Sequence, residues 1–202
     1  MSRVVIREAV RYLQARGIVD VKHGSGTYIK NRPSDTLSES LILLLKLEET
    51  SLIDLYVVRQ ALELVAAPRA AQYATEAHIT KLRNCLDEMS DLITKGIQGE
   101  EQFQAFTNCD IKHHLLIADA SANLPLATLL SAILPLIMKG RLEIINRTGG
   151  IQRFFLRSSL VLALQEHTNI VHAISNRDTK AAELFMSQHL QRALATYRDL
   201  ES

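Results

Sequence analysis

Residues 2–29 read SRVVIREAVRYLQARGIVDVKHGSGTYI, and this stretch decides the architecture of the start of the chain. Ser2 is a typical N-cap residue, and apolar side chains then recur at helical spacing as far as Leu13. Gly17 is predicted to end this helix. Two short runs rich in β-branched residues follow, separated by a glycine-containing turn over 23–26. The pattern predicts a helix followed by a β-hairpin.

The first 34 residues are strongly basic compared with the rest of the chain. They contain seven Lys or Arg and two acidic residues, a net charge of +5, whereas all 202 residues together carry +1. A basic segment joined to a mildly acidic remainder favours a polyanionic partner for the basic part only. A solvated helix face is the alternative explanation of the charge.

Beyond residue 34 the apolar pattern is helical, and no strand is predicted. The composition agrees, because 47% of residues are apolar and only 5% are aromatic. Pro68 and Pro135 fall inside predicted helices and are expected to kink them. The predicted helices, which suggest an antiparallel bundle, cover residues 36–47, 51–74, 76–95, 100–120, 124–146, 153–175 and 178–200.

The first stretch resembles the recognition helix, strand and wing of the winged-helix heads of GntR-family transcription regulators. The resemblance implies base contacts for Arg3 and Arg7, a phosphate contact for Ser2, and minor-groove or phosphate contacts for His23 and Gly24. Family heads have two further helices before this one. We therefore expect residues 1–202 to bind operator DNA weakly in a gel shift, and the addition of upstream residues to restore binding.

Roughly residues 50–200 resemble the all-helical C-terminal domain of the FadR-type branch of that family, the FCD-type domain. The motifs that carry the resemblance are Leu55-Tyr56-x-x-Arg59-x-x-Leu62-Glu63, Asp110-x-x-x-His114 with Ala120-Ser121-x-Asn123, and Glu166-His167 with His189-Leu190. The expected fold is mainly α, with a partial winged helix-turn-helix followed by a helical bundle. Its expected domains are 1–33 for DNA binding, 34–50 for a linker and connecting helix, and 51–202 for effector binding.

Four side chains are candidate metal ligands. Asp110 and His114 are four residues apart and share a helix face. Taken alone, this spacing is common, and most histidines are surface or core residues. The resemblance implies that His167 and His189 complete a site for a divalent ion, with Zn²⁺ favoured and Ni, Mn or Fe open. His113 replaces the aromatic residue usual beside the ligand histidine; it could compete as a ligand, but it lies about 100° round the helix.

Three further residues are candidate effector contacts. Arg59 resembles a cavity-facing arginine of the family and could bind a small carboxylate opposite the metal. Its alternative is an ion pair with Glu63 on a wet helix face. Asn123 could contact the effector or cap the next helix, and Arg141 is a weaker candidate.

These features together predict a cytoplasmic homodimer that is not an enzyme. Its metal site would sense a small organic acid and alter binding to double-stranded operator DNA. Two cysteines make no disulfide framework, and no apolar run is long enough to span a membrane. Two alternatives remain open at this point. One is a metalloenzyme acting on a small carboxylate, although only Glu166 stands near as a general base; the other is a metal-independent sensor.

Overall fold

The computed structural model describes residues 2–29, 37, 40–43, 51–97, 99–147 and 157–201. The chain divides into two compact units, Met1–Glu49 and Thr50–Ser202. Most of the predicted helix over 36–47 and the start of the one over 153–175 lie outside the described residues.

The first unit contains a helix and a two-stranded antiparallel sheet. Helix α1 spans Arg3–Ala15, strand β1 spans Val19–Lys22 and strand β2 spans Gly26–Ile29. The Oγ of Ser2 accepts the first cap hydrogen bond of α1, from the amide of Val4 over 3.3 Å. Gly17 follows the helix with a φ of 66°, a left-handed conformation that glycine adopts without strain.

The second unit is a bundle of helices, and the predicted mainly α fold with one small hairpin is confirmed. Pro68 lies inside α2 and Pro135 inside α5, as expected, while the kinks stay a prediction. The helix bounds are α2 Leu52–Tyr73, α3 Glu76–Lys95, α4 Glu100–Ala120, α5 Leu124–Arg147, α6 Arg157–Ser175 and α7 Thr179–Glu201.

Polar side chains begin several of these helices. Ser51 accepts from the amide of Asp54 at the start of α2, over 3.2 Å. Thr75 and His78 form a reciprocal capping box at the start of α3. Asp178 accepts from the amide of Ala181 at the start of α7, over 3.0 Å. Each cap pairs a backbone donor that the first helical turn leaves without an intrahelical partner.

Helix α2 is central to the bundle, because it packs against α4, α5, α6 and α7. Part of its length forms an alanine seam of four side chains, each at most 1% exposed: Ala66, Ala67, Ala70 and Ala71. The distance between two packed helices depends on the side chains at their contact, so methyl groups let α2 approach its neighbours closely. The polar site lies on the same helix, on the N-terminal side of the seam.

Candidate metal and effector site

Helix α4 presents Asp110 and His114 on one buried face. The two residues are one helical turn apart, and the carboxylate of Asp110 lies 4.0 Å from Nε2 of His114. Both are almost inaccessible to solvent, with exposures of 7% for Asp110 and 1% for His114. A buried carboxylate beside a buried imidazole is costly unless further polar groups or an ion accompany it.

Helices α6 and α7 bring two more imidazoles to the same place. Nε2 of His167 lies 3.5 Å from the Asp110 carboxylate and 3.3 Å from Nε2 of His189. Both rings are buried. One nitrogen from each of His114, His167 and His189 falls within 4.8 Å of the others. The four residues expected as metal ligands therefore meet in the interior, from three separate helices.

Two glutamates make hydrogen bonds with the Nδ1 atoms of two of these imidazoles. Nδ1 of His114 makes a hydrogen bond with Glu63 of α2, and Nδ1 of His189 makes one with Glu166 over 2.8 Å. When a carboxylate accepts a hydrogen bond from Nδ1, that nitrogen carries the proton of the neutral ring. Nε2 then keeps its lone pair for another partner. In both rings that nitrogen lies near another member of the cluster: Nε2 of His114 is 4.0 Å from the Asp110 carboxylate, and Nε2 of His189 is 3.3 Å from Nε2 of His167.

Arg59 fixes the tautomer of His114. Its Nη2 lies 2.8 Å from Nε2 of His114, and its Nε donates to Glu63 over 2.6 Å. A guanidinium has no acceptor, so Nε2 of His114 must carry the lone pair and Nδ1 the proton. Arg59 and Glu63 are each 1% exposed, so their ion pair is present but does not lie on the wet face considered above.

The charges of the buried groups follow from these contacts. Burial alone raises the pKa of Glu63, but the charge of Arg59 and the contacts with His114 outweigh it and lower that pKa overall. Burial likewise opposes the ionisation of Glu166, yet His189 and Arg192 lower the pKa of Glu166 to about 2. Burial also lowers the pKa of His167 well below its usual value, so this ring is neutral at pH 7.

The candidate effector residues separate into three cases. Arg59 borders the cluster, as expected. Asn123 accepts a hydrogen bond from the amide of Leu126 over 3.2 Å and so caps α5. Of the two roles considered for Asn123, this is the helix cap and not the effector contact. Arg141 lies on α5, but its side chain is outside the described residues.

The candidate DNA contacts are all on exposed parts of the first unit. Arg3 and Arg7 are exposed on α1, Ser2 is exposed at its N-cap, and His23 and Gly24 are exposed in the turn between β1 and β2. Gly24 has a φ of 75°, which suits the tight turn. All five residues are therefore at the surface of the first unit.

Sequence reasoning missed the two carboxylates that hold the rings. The sequence places Glu63 in the Arg59 motif but suggests no role for it beyond a solvated ion pair with Arg59, although the Arg-x-x-x-Glu spacing puts both on one helix face. For Glu166, which stands in the Glu166-His167 motif, the only role that the sequence suggests is that of a general base. Its Oε2 accepts from His189, and both of its oxygens accept from Arg192 over 2.5 Å. A carboxylate with these partners orients a histidine and is not available to activate water.

Comparison with known proteins decides the family. The FCD domain family matches residues 54–192. A solved structure titled Streptococcus agalactiae GntR superposes with a TM-score of 0.74 and 26% sequence identity, over 97% of this chain and 83% of that one. The chain belongs to the GntR-family regulators that carry an FCD domain.

Curated relatives of this FCD-domain regulator agree. It is 32% identical over 190 residues to the HTH-type transcriptional regulator LutR of Bacillus subtilis strain 168, across 94% of this chain and 82% of LutR. It is 28% identical over 194 residues to the Uxu operon transcriptional regulator of Escherichia coli K12, across 95% of this chain and 70% of that protein. These relatives are transcription regulators, so the chain is a regulator and not an enzyme. No helix in the described ranges has the length and apolar character needed to cross a bilayer.

Proposed function

We propose that this FCD-domain regulator, of the FadR branch, senses a small organic acid at a metal ion in its helical unit and thereby alters operator binding. One observation carries the proposal. Three imidazole nitrogens lie within 4.8 Å of one another in a buried site, and the Asp110 carboxylate lies beside them. Clusters of this kind are costly to bury, and a bound cation would offset the cost.

The donor set fits a divalent transition metal. Metal–nitrogen bonds of about 2 Å place neighbouring ligand atoms roughly 3 to 4 Å apart. The 3.3 Å between His167 and His189 and the 3.5 Å between His167 and Asp110 fall in that range. Three imidazoles and one carboxylate favour Zn²⁺, with Ni, Mn or Fe as alternatives. Such an ion would supply a positive, Lewis-acidic centre to which an organic carboxylate can bind.

Arg59 is the second anchor for the acid. Its guanidinium is buried, charged and within hydrogen-bond reach of His114, a candidate ligand. The single lone pair on Nε2 of His114 serves one partner at a time, so loading of the site requires Arg59 to release it. The released N–H groups of Arg59 then lie beside the site, where a carboxylate could accept hydrogen bonds from them. Metal loading and formation of the acid site are therefore coupled through one nitrogen.

The regulatory output is a change in the DNA-binding head. We place base contacts on Arg3 and Arg7 and backbone contacts on Ser2, His23 and Gly24, because these exposed residues occupy a helix start and a hairpin turn in a basic segment. The relatives act on transcription, which supports operator DNA as the partner. A cytoplasmic homodimer would match its two heads to a two-fold operator, with a spacing that depends on bound acid.

The test measures metal and acid in the purified chain. Elemental analysis should find about one divalent ion per chain, and denaturing mass spectrometry should identify a small acid carried with it. His167→Ala should lose the ion, because it removes a central donor. The matched control is His172→Ala, on the same helix but exposed, which should retain it. Full metal occupancy in His167→Ala would contradict the metal site, and acid binding by metal-free protein would support the metal-independent alternative.

A further inference from the structure

His113 is a buried histidine that the proposed metal site does not use. It lies on α4 directly before His114, and its side chain is 0% exposed. Its ring centroid is 4.4 Å from that of His167 and 5.7 Å from that of His114. The nitrogens of His113 do not belong to the group of three that could bind one ion.

Neither ring nitrogen of His113 has a hydrogen-bond partner among the described residues. The ring is neutral, because a charged imidazole that is fully buried with no hydrogen-bond partner among the described residues would carry an uncompensated charge in the interior. A neutral imidazole has one N–H donor and one lone-pair acceptor. Leaving both unpaired in the interior costs free energy that an aromatic hydrocarbon ring of similar size would avoid.

The location of this unpaired ring indicates where its partner would come from. The ring packs against His167, whose Nε2 faces Asp110 and His189 in the cluster. A small molecule bound at that cluster on the side of His113 would therefore be a neighbour of this ring. Buried polar groups without protein partners are typical of sites that a ligand or an ordered water completes.

We propose that His113 determines effector specificity by making a hydrogen bond with a hydroxyl group of the bound acid. The inference rests on the proposed function and narrows its ligand to the hydroxy acids. A hydroxyl both donates and accepts, so it can pair with either nitrogen of the neutral ring. A second carboxylate fits less well, because it would bring another negative charge into a buried site that already contains Glu63 and Asp110.

The experiment compares acids that differ by one hydroxyl. Zn²⁺-loaded full chain is titrated by calorimetry with three matched pairs: glycolate and acetate, lactate and propionate, malate and succinate. In at least one pair the hydroxy acid should bind about tenfold or more tightly than its deoxy partner, since the deoxy acid leaves His113 unpaired. In His113→Phe that ratio should fall to about one, while the zinc stoichiometry is maintained and the melting temperature is not lowered.

Two further variants make the result specific. His113→Asn keeps a donor and an acceptor and should retain part of the ratio. It tests the role of His113 independently if the Phe side chain does not pack. His172→Phe, an exposed position on α6, should leave the ratio unchanged.

Three outcomes would overturn the role of His113. They are an unchanged ratio in both His113 variants, a ratio of one in the wild type, and a loss of zinc in His113→Phe, which would make His113 a ligand. Wild-type chain that takes up no zinc and binds none of the six acids would instead contradict the proposed function itself.

Discussion

Arg59 donates a hydrogen bond from Nη2 to Nε2 of His114 over 2.8 Å, and His114 belongs to the group of three histidines that could bind an ion. The same arginine donates to Glu63, which also contacts Nδ1 of His114. The buried guanidinium of Arg59, carboxylate of Glu63 and imidazole of His114 thus each contact the other two. Substitutions in and around this group should affect stability, metal binding or acid binding differently.

Replacing Arg59 by Gln should weaken acid binding and leave metal binding intact. The variant removes the charged donors for a carboxylate, and we expect the affinity for acid to fall about tenfold or more. The position on His114 that a metal would take is freed, so zinc content should not fall. Calorimetry on zinc-loaded protein measures both. Arg69→Gln is the control, because Arg69 is on the same helix but donates to the carbonyl of Ser121. Unchanged acid affinity in Arg59→Gln would count against this anchor.

Replacing Glu63 by Gln should destabilise the helical unit. The variant leaves the buried guanidinium of Arg59 without its paired carboxylate, and loss of one partner of a buried pair costs about 3 to 5 kcal/mol. Urea unfolding followed by circular dichroism, in the presence of a chelator, measures this loss. Glu88→Gln breaks the half-exposed pair with Lys112 and should change the free energy of unfolding by about 1 kcal/mol or less. Equal effects of the two substitutions would refute the role of burial.

Replacing Glu166 by Gln should weaken metal binding without unfolding the protein. Glu166 orients His189 through Nδ1, and loss of such an outer partner typically lowers metal affinity about 10- to 100-fold. Competition with a chromophoric chelator gives the affinity. Glu183→Gln serves as the control, because Glu183 is exposed on α7. If both variants bound zinc equally well, the orienting role of Glu166 would be excluded.

Replacing Asn123 by Ala should lower stability and spare acid binding. The side chain caps α5, and loss of an N-cap costs about 1 kcal/mol. Asn123→Ser retains a capping oxygen and should recover most of that stability. Thermal melts and acid titrations of the two variants, side by side, make the distinction. A selective loss of acid affinity in Asn123→Ala would instead assign this residue to the effector site.

Much of the fold was predictable because local patterns and caps agree. The helix start at Ser2 and the stop at Gly17 are both expected from residue type alone, and the structure shows them. The spacing of Asp110 and His114 also required only helix geometry. Convergence of His167 and His189 on the same point depends on how α6 and α7 are aligned, which no local pattern specifies.

The outer partners of the rings could not be predicted for a related reason. Glu63 lies on α2, a helix with apolar residues on most sides, so its periodicity does not show which side is buried. Val57 and Val58 are exposed and immediately precede the buried Arg59, whereas valine is usually buried and arginine usually exposed. Only packing against several neighbouring helices explains why the charged side chains face inward.

The four fully enclosed methyl groups between Ala66 and Ala71 have a consequence for how such receptors diversify. An added carbon at any of them would move the backbone that carries Arg59, roughly two to three helical turns away, and so alter the fit of a ligand it never touches. Selectivity in this lineage can therefore drift through substitutions remote from the chemistry. Sequence changes along the alanine seam should therefore alter ligand selectivity, as changes among the histidines do.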